Sequence, residues 1–300
     1  LEKNFNAIGY YLKKKFGFKV IKLSLDAGFT CPNRDGSKGL GGCIFCSAAG
    51  SGELASNIPD QIALLSKKWS SGKYIAYFQS YTNTYAPIAV LREKFEAVLS
   101  HPDVIGIAIA TRPDCLSEEV LALLDELNKK TFLWVELGLQ TIHEKTAVLI
   151  NRCYTLDIFD EAMEKLNSLS IKTVVHLIFG LPDETKDEML ASVRYVCGVE
   201  AANAPFPFGV KLHLLNVVSG SQMETLYPNY VPFYEMDEYV SLVVDALEYI
   251  PPNVTIHRLT ADAPRELLIA PEWSYRKRTL LNKIDKELKR RGSFQGSALF

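Results

Sequence analysis

The chain has 300 residues, 48% of them hydrophobic and 23% charged, with a formal net charge of −2. That balance is typical of globular proteins and excludes a polycation that binds nucleic acid by bulk charge, so any such partner must meet a local patch. No run of eighteen apolar residues is present to span a bilayer, and Leu1-Glu2-Lys3-Asn4-Phe5 does not read as a signal peptide. The first residue is not Met, which is consistent with a few trimmed residues. Six cysteines in a large chain without a leader point to reduced thiols and a cytoplasmic location rather than a disulfide framework.

Residues 19–25 read as a first strand and lead into a long Gly-rich loop with three cysteines. A helical stretch over 59–69 precedes a second strand at 74–78, and Pro87 opens a helix where its missing N–H costs nothing. A third strand covers 104–110, and Ser117-Glu118-Glu119 reads as a helix start with a hydroxyl cap and acids in the first turn. Strands four, five and six follow at 132–138, 173–179 and 209–215. Continuous Val/Ile/Leu runs separated by helices describe a parallel sheet buried on both faces. Six βα units without a Gly-rich dinucleotide turn favour an α/β partial (β/α)6 TIM-type barrel. It would carry N- and C-terminal helical extensions and form one domain over 1–300, with its core at 18–250 and an extension at 251–300. In such barrels chemistry gathers at the C-terminal ends of the strands. Cys31, Gln79, Arg112, Gln140 and Asp183 fall at those ends.

Cys31, Cys43 and Cys46 form a trio with no fourth Cys or His close by in sequence. Cys43-x-x-Cys46 lets two thiolates grip one centre, and Gly41-Gly42 lets backbone approach it closely. Three thiolates suit a [4Fe-4S] cluster with one iron left open. Zinc is the rival for a Cys-x-x-Cys pair, but a structural zinc site wants a fourth protein ligand and His101 is far along the chain. A thioredoxin-like pair would not need Cys31. Of the other cysteines, Cys197 lies in a helical pattern and reads as core, whereas Cys115 and Cys153 lie near the rim and suit either packing or chemistry.

The motifs Cys-Pro-Asn-Arg-Asp-Gly at 31–36, Gly-Gly-Cys-x-Phe-Cys at 41–46 and Thr-Arg-Pro-Asp-Cys at 111–115 resemble the YhcC/YtqA-type radical S-adenosylmethionine (SAM) family. So do Glu-Leu-Gly-Leu-Gln-Thr at 136–141, His-Leu-Ile-x-Gly-Leu-Pro at 176–182, Lys-Leu-His at 211–213 and Ile-His-Arg-Leu-Thr at 256–260. This family is related to the radical SAM core of the Elongator catalytic subunit and to oxygen-independent coproporphyrinogen oxidase. The resemblance implies that Cys31, Cys43 and Cys46 hold a [4Fe-4S] cluster whose open iron chelates SAM. It further implies reductive cleavage of SAM to methionine and a 5′-deoxyadenosyl radical. Gln140 and Arg152 match residues that contact SAM in the oxidase, with Arg152 meeting the SAM carboxylate as a charge-assisted fork. Glu136 and His176 match groups near the ribose or methionine of SAM, and Gly180-Leu181-Pro182 matches the stretch against adenine. Two features depart from the pattern. The gap between Cys31 and Cys43 is long, and Phe78-Gln79-Ser80-Tyr81-Thr82-Asn83 replaces the Gly-Gly-Glu that receives the SAM amino group, leaving Gln79 or a backbone carbonyl for that role.

Residues 276–291 carry eight basic side chains against Asp285 and Glu287. Leu280, Leu281, Ile284 and Leu288 recur at helical spacing, so the basic residues Arg276, Lys277, Arg278, Lys283, Lys286, Lys289, Arg290 and Arg291 read as a strip able to meet phosphates. Tyr77, Phe78, Tyr81 and Tyr85 near the rim suit stacking on a base. Together with the Elongator kinship these features imply tRNA as partner. The substrate would be the C5 side chain of the wobble uridine, at the step from 5-carboxymethylaminomethyl to 5-aminomethyl. Further implied partners are a one-electron donor such as flavodoxin or ferredoxin and a downstream tRNA methyltransferase, with no membrane. Two alternatives stand beside this reading: a radical SAM enzyme with a small-molecule or protein substrate, and a non-catalytic zinc-stabilised RNA-binding module.

Overall fold

The computed structural model describes residues 4–50, 52–67, 72–198 and 207–299. The apolar runs form β1 (Val20–Leu25), β2 (Lys73–Phe78), β3 (Val104–Thr111), β4 (Phe132–Gln140), β5 (Lys172–Phe179) and β6 (Gly209–Leu214). Three shorter strands follow, β7 (Val217–Val218), β8 (Thr255–Arg258) and β9 (Leu268–Ala270). The α-helices are α1 (Ile8–Phe16), α2 (Ile58–Ser66), α3 (Ile88–Leu99), α4 (Glu118–Lys130), α5 (Glu144–Leu149), α6 (Leu156–Ser168), α7 (Lys186–Val196), α8 (Gln222–Leu226), α9 (Met236–Tyr249) and α10 (Lys277–Arg291). Local chemistry sets their starts. Ser117 Oγ accepts from Val120 N–H at 3.3 Å to open α4, Pro87 caps α3, and Thr185 and Glu188 close a reciprocal capping box on α7. Asn57 Oδ1 accepts from Asp60 N–H at 2.9 Å, so α2 starts near the expected position. Lys68 and Trp69, at the expected end of that helix, lie outside the described residues.

The large sheet is all parallel in the order β1-β2-β3-β4-β5-β6-β8, a partial barrel with helices on its outer face. The expected barrel thus gains a seventh strand, β8, from the segment read as an extension; only four residues long, with Ile256 its one apolar residue, it lacks an apolar run. The strands alternate. On β4, Leu133, Val135, Leu137 and Leu139 pack into the helix-side core, while Trp134 turns inward with Ile75, Tyr77, Ala108 and Val174. This inner cluster plugs one end of the barrel, each large side chain contributing about 1.5–3 kcal/mol by burial. Leu280, Ile284 and Leu288 bury the apolar face of α10, which packs on α9.

The edge at β8 is covered by the start of the chain. Ile256 N–H donates to Asn6 O at 2.8 Å, and α1 touches both β1 and β8. Gln295 fastens that cover, its N–H donating to Asn4 O at 2.9 Å and its Oε1 accepting from Asn6 N–H at 2.8 Å. Among the described residues no helix is long and apolar enough to cross a membrane.

Candidate active site

One cavity opens at the C-terminal ends of the strands. Its wall includes all three loop cysteines, together with Gln79, Arg112, Gln140, Arg152 and Tyr154, and its floor is formed by Tyr77, Glu136, His176 and Lys211. The loop between Cys31 and Cys46 is folded by its own backbone. Arg34 N–H donates to Cys31 O at 2.8 Å, Gly42 N–H to Asn33 O at 2.7 Å, and Cys46 N–H to Cys43 O at 2.9 Å. Gly42 has φ +81°, and a Cβ there would meet Arg34 Nε at 2.9 Å. The Arg34 guanidinium in turn donates to carbonyl oxygens of Cys46, Ser47 and Ala48, pinning the far end of the loop. Asn151 Nδ2 reaches Gly42 O at 2.8 Å from the opposite side of the barrel.

The three thiols share this cavity, yet among the described residues no three Cys, His, Asp or Glu side chains converge to hold a single metal ion. Three thiols on one cavity wall suit a cluster with one iron left open, whereas a structural zinc wants a fourth protein ligand. Burial first, and then the neighbouring Cys46 thiolate, push the Cys43 thiol up to about 12. A bound cationic centre would relieve that cost by taking the thiolate form. The residues present therefore fit a three-thiolate cluster. Cys197 is fully buried after α7, as expected of core. Cys115 lies in a separate outer groove, and Cys153 is exposed beside Asn151.

Gln140 ends β4 at a bulge with φ +67°, which turns its side chain over Gly138. Its amide donates to Leu139 O at 2.9 Å and to Gly138 O at 3.3 Å. Gln79 follows β2 on the same rim. The fork expected of Arg152 is already engaged. Its fully buried guanidinium donates to Tyr154 O (2.9 Å), Leu139 O (3.1 Å), Thr141 O (2.7 Å) and Glu144 Oε1 (3.3 Å), so it braces the turn after β4 instead of presenting two free N–H groups. Arg112 is likewise paired, in a fork with Asp114 at 2.9 Å on both sides.

Glu136 is fully buried and saturated. Oε1 accepts from Trp134 Nε1 at 2.9 Å and faces Lys22 Nζ at 3.6 Å; Oε2 accepts from His176 Nε2 at 2.8 Å and from Lys211 Nζ. Burial would raise this carboxyl, but Lys211, Lys22 and His176 outweigh it and hold it well below the usual range. Glu136 is therefore the anchor of a charged floor, held by three hydrogen-bond donors and the Lys22 ion pair. Burial and the Lys211 charge pull His176 down to about 4, so its imidazole is neutral at neutral pH. Gly180, Leu181 and Pro182 do not line the cavity. A Cβ on Gly180 would lie 2.7 Å from Pro232 and 2.8 Å from Phe233, and Leu181 is packed with Ile44, Leu215 and Met223. The segment around 230–233 covers this stretch, with Tyr230 Oη donating to Gly180 O at 2.9 Å.

Tyr77 and Tyr81 reach the cavity wall, but Phe78 is core against Phe95 and Tyr85 sits in the outer groove, bonded to Ser37. The basic strip is also different from its expectation. Lys277 pairs with Asp262, Lys283 with Asp237, Lys289 with Asp285, Arg290 with Glu287, and Arg291 with Asp245 and Glu287. Arg276 leans on Tyr275. The sequence reading gave no role to Lys22, Tyr154 or Asp262, and it quoted Lys211, His213 and Arg258 as parts of motifs without assigning them a function. The signal was a lone Lys among apolar residues, Lys22 on the alternating β1 and Lys211 on the buried β6.

Comparison with known proteins supplies a context for this arrangement. The family model described as Radical SAM superfamily matches residues 31–196, and Radical_SAM C-terminal domain matches 207–290. Protein YtqA of Bacillus subtilis (strain 168) is 48% identical over 304 residues, covering 98% of this chain and 92% of its own. Elongator complex protein 3 of Schizosaccharomyces pombe (strain 972) is 27% identical over 175 residues, which is 56% of this chain and 30% of that protein. Among solved structures, the archaeal Methanocaldococcus infernus Elp3 superposes with a TM-score of 0.68 at 17% identity. That match covers 92% of this chain and 64% of that one, a likeness of fold.

Proposed function

Because the chain belongs to the radical SAM superfamily, within the group that contains YtqA, we propose that Cys31, Cys43 and Cys46 hold its [4Fe-4S] cluster and that it modifies the wobble uridine of tRNA. The cofactors of this superfamily are a [4Fe-4S] cluster and SAM, and they are the cofactors of this enzyme. When bound and reduced, they supply the 5′-deoxyadenosyl radical that abstracts a hydrogen atom from the substrate. The chain's own residues do the rest. The Gly-rich loop leaves three thiols for one centre, Arg34 and Asn151 hold the loop in shape, and Gln79 and Gln140 face the rim where SAM's amino acid end docks. Arg152 fixes the turn that carries Gln140. One observation carries this reading: three thiols from a single Gly-rich loop line the same cavity at the C-terminal ends of the strands.

For the substrate, the motif resemblance to the Elongator catalytic subunit and the shared sequence with Elongator complex protein 3 favour the C5 side chain of the wobble uridine. The step is the conversion of 5-carboxymethylaminomethyl to 5-aminomethyl, in the cytoplasm. The N–CH2–COO⁻ methylene would lose a hydrogen atom, then an electron and a proton, to give an imine that water splits into the amine and glyoxylate, with SAM as the net two-electron oxidant. Flavodoxin or ferredoxin would donate the electron, and a tRNA methyltransferase would act on the product. Residues 1–300 would serve this reaction as one catalytic domain. The test is anaerobic reconstitution with iron, sulfide, dithionite and SAM, with and without bulk tRNA carrying 5-carboxymethylaminomethyluridine. The expected result is a brown protein that forms 5′-deoxyadenosine and converts the side chain by nucleoside mass spectrometry. A colourless protein holding zinc, or an unchanged nucleoside profile, would overturn the respective half.

A further inference from the structure

The barrel floor holds more positive charge than its acids balance. Among the described residues, Lys22 from β1, Lys211 from β6 and Arg258 from β8 meet only Glu136 and Asp262 as acids. Asp262, which bonds Arg258 at 3.0 Å, is shared with Lys277. Burying a cation without a full counter-charge is costly, and lysines in that position tend to lose their proton. Burial first, and then the charge of Arg258, pull Lys22 below the usual lysine range, and burial with the charges of Lys22 and Arg258 pulls Lys211 well below it, in both cases against the pull of Glu136. Tyr77 adds a hydroxyl 3.0 Å from Lys211 Nζ. The neighbouring His213 Nε2 and Asn216 Oδ1 are buried polar atoms with no hydrogen-bond partner, and both residues line the same cavity as the cysteines.

Such a pocket is short of one anion and of two polar contacts. We propose that the floor is a receptor for a carboxylate of the substrate, which Lys211 and Arg258 bind while Glu136 keeps the lysines in place before it arrives. This rests on the wobble-uridine reading and deepens it. The 5-carboxymethylaminomethyl group ends in a carboxylate and its 5-aminomethyl product does not, so the floor distinguishes substrate from product by charge. A side chain on C5 of a flipped base projects ahead of the ring, so its carboxylate can enter the cavity before the backbone does.

The test measures, by calorimetry, binding of two free nucleosides to the reconstituted holoenzyme with SAM: 5-carboxymethylaminomethyluridine and 5-aminomethyluridine. The carboxylate-bearing nucleoside should bind at least about 10-fold more tightly, the usual weight of a charge-assisted hydrogen bond. That ratio should fall towards one in Arg258→Gln and recover in Arg258→Lys. Lys211→Met strands Glu136, so the paired variant Lys211→Met/Glu136→Gln, folded by circular dichroism, is the second probe and should also lose the ratio. Equal or absent binding of the two nucleosides, or an unchanged ratio in both variants, overturns the receptor. The tRNA assay separates the two ideas: selective nucleoside binding with unprocessed tRNA sinks the wobble-uridine reading alone, and processed tRNA with no nucleoside selectivity sinks the receptor alone.

Discussion

Asn33 Nδ2 donates to the carbonyl oxygen of Asn151 at 2.5 Å, joining the cysteine loop to the turn after α5 across 118 positions of sequence. The same nitrogen lies 3.5 Å from Cys43 Sγ. Asn33→Ala would leave Asn151 O without this donor and Cys43 without its polar neighbour, a cost of about 1–3 kcal/mol. The expected outcome is lower iron retention after gel filtration and a lower melting midpoint. Unchanged values of both would show that the two loops hold without this bond.

The cysteines should divide sharply. Ser at position 31, 43 or 46 should remove most of the roughly four irons of a cubane, whereas Cys153→Ser should keep the brown colour because that thiol is exposed and bonded only locally to Asn151. Iron and sulfide analysis reads both results.

Gly138 is the seat of Gln140. A Cβ at position 138 would come within 2.6 Å of the Gln140 amide, so Gly138→Ala should displace that side chain from the rim. We expect weaker SAM binding, by about 10-fold or more if one hydrogen bond to a charged group is lost, with a small change in melting. SAM affinity equal to that of the native enzyme would separate Gln140 from the cofactor.

His176 gives a pH signature. Its native value of about 4 lies below its ordinary 6.5, so the unfolded chain takes up a proton in this window and the native one does not. The contribution is whole above pH 6.5 and is lost as pH falls towards 4, amounting to about 2 kcal/mol at pH 5. Urea unfolding at pH 7 and pH 5 should show this loss in the native sequence and not in His176→Asn. Parallel behaviour of the two proteins would exclude His176 as the source.

Arg278 and Lys286 are the cations of α10 left without an acidic partner among the described residues. If tRNA lies on this helix, Arg278→Glu/Lys286→Glu should weaken tRNA binding about 10-fold at 0.1 M salt and flatten the salt dependence by one to two phosphates. Lys289→Ala, whose charge already meets Asp285 at 2.6 Å, should do less. Equal binding by all three proteins would move the RNA interface elsewhere.

Sequence periodicity located β2 to β6 largely as apolar runs, the mark of strands buried on both faces, and β1 by its alternation of apolar residues with Lys22 and Ser24. It passed over β8, where Thr255-Ile256-His257-Arg258 borrows its strand character from the neighbouring β6. Cys31, Cys43 and Cys46 were legible from spacing alone. The state of Arg152 was not, since its partners are main-chain oxygens at the end of β4, which no side-chain pattern encodes. The basic strip misled for a related reason: the acids that pair with Lys283 and Arg291 sit on α9, about 46 positions away in sequence. Lys22 and Lys211 lie still further apart, and only the curl of the sheet brings both onto Glu136.

The fastening of Asn4 and Asn6 by Gln295 guards the rim of the sheet. Without that clasp the segment laid over Ile256 would be free to lift, and the uncovered backbone of β8 would become a template for stray pairing with another chain.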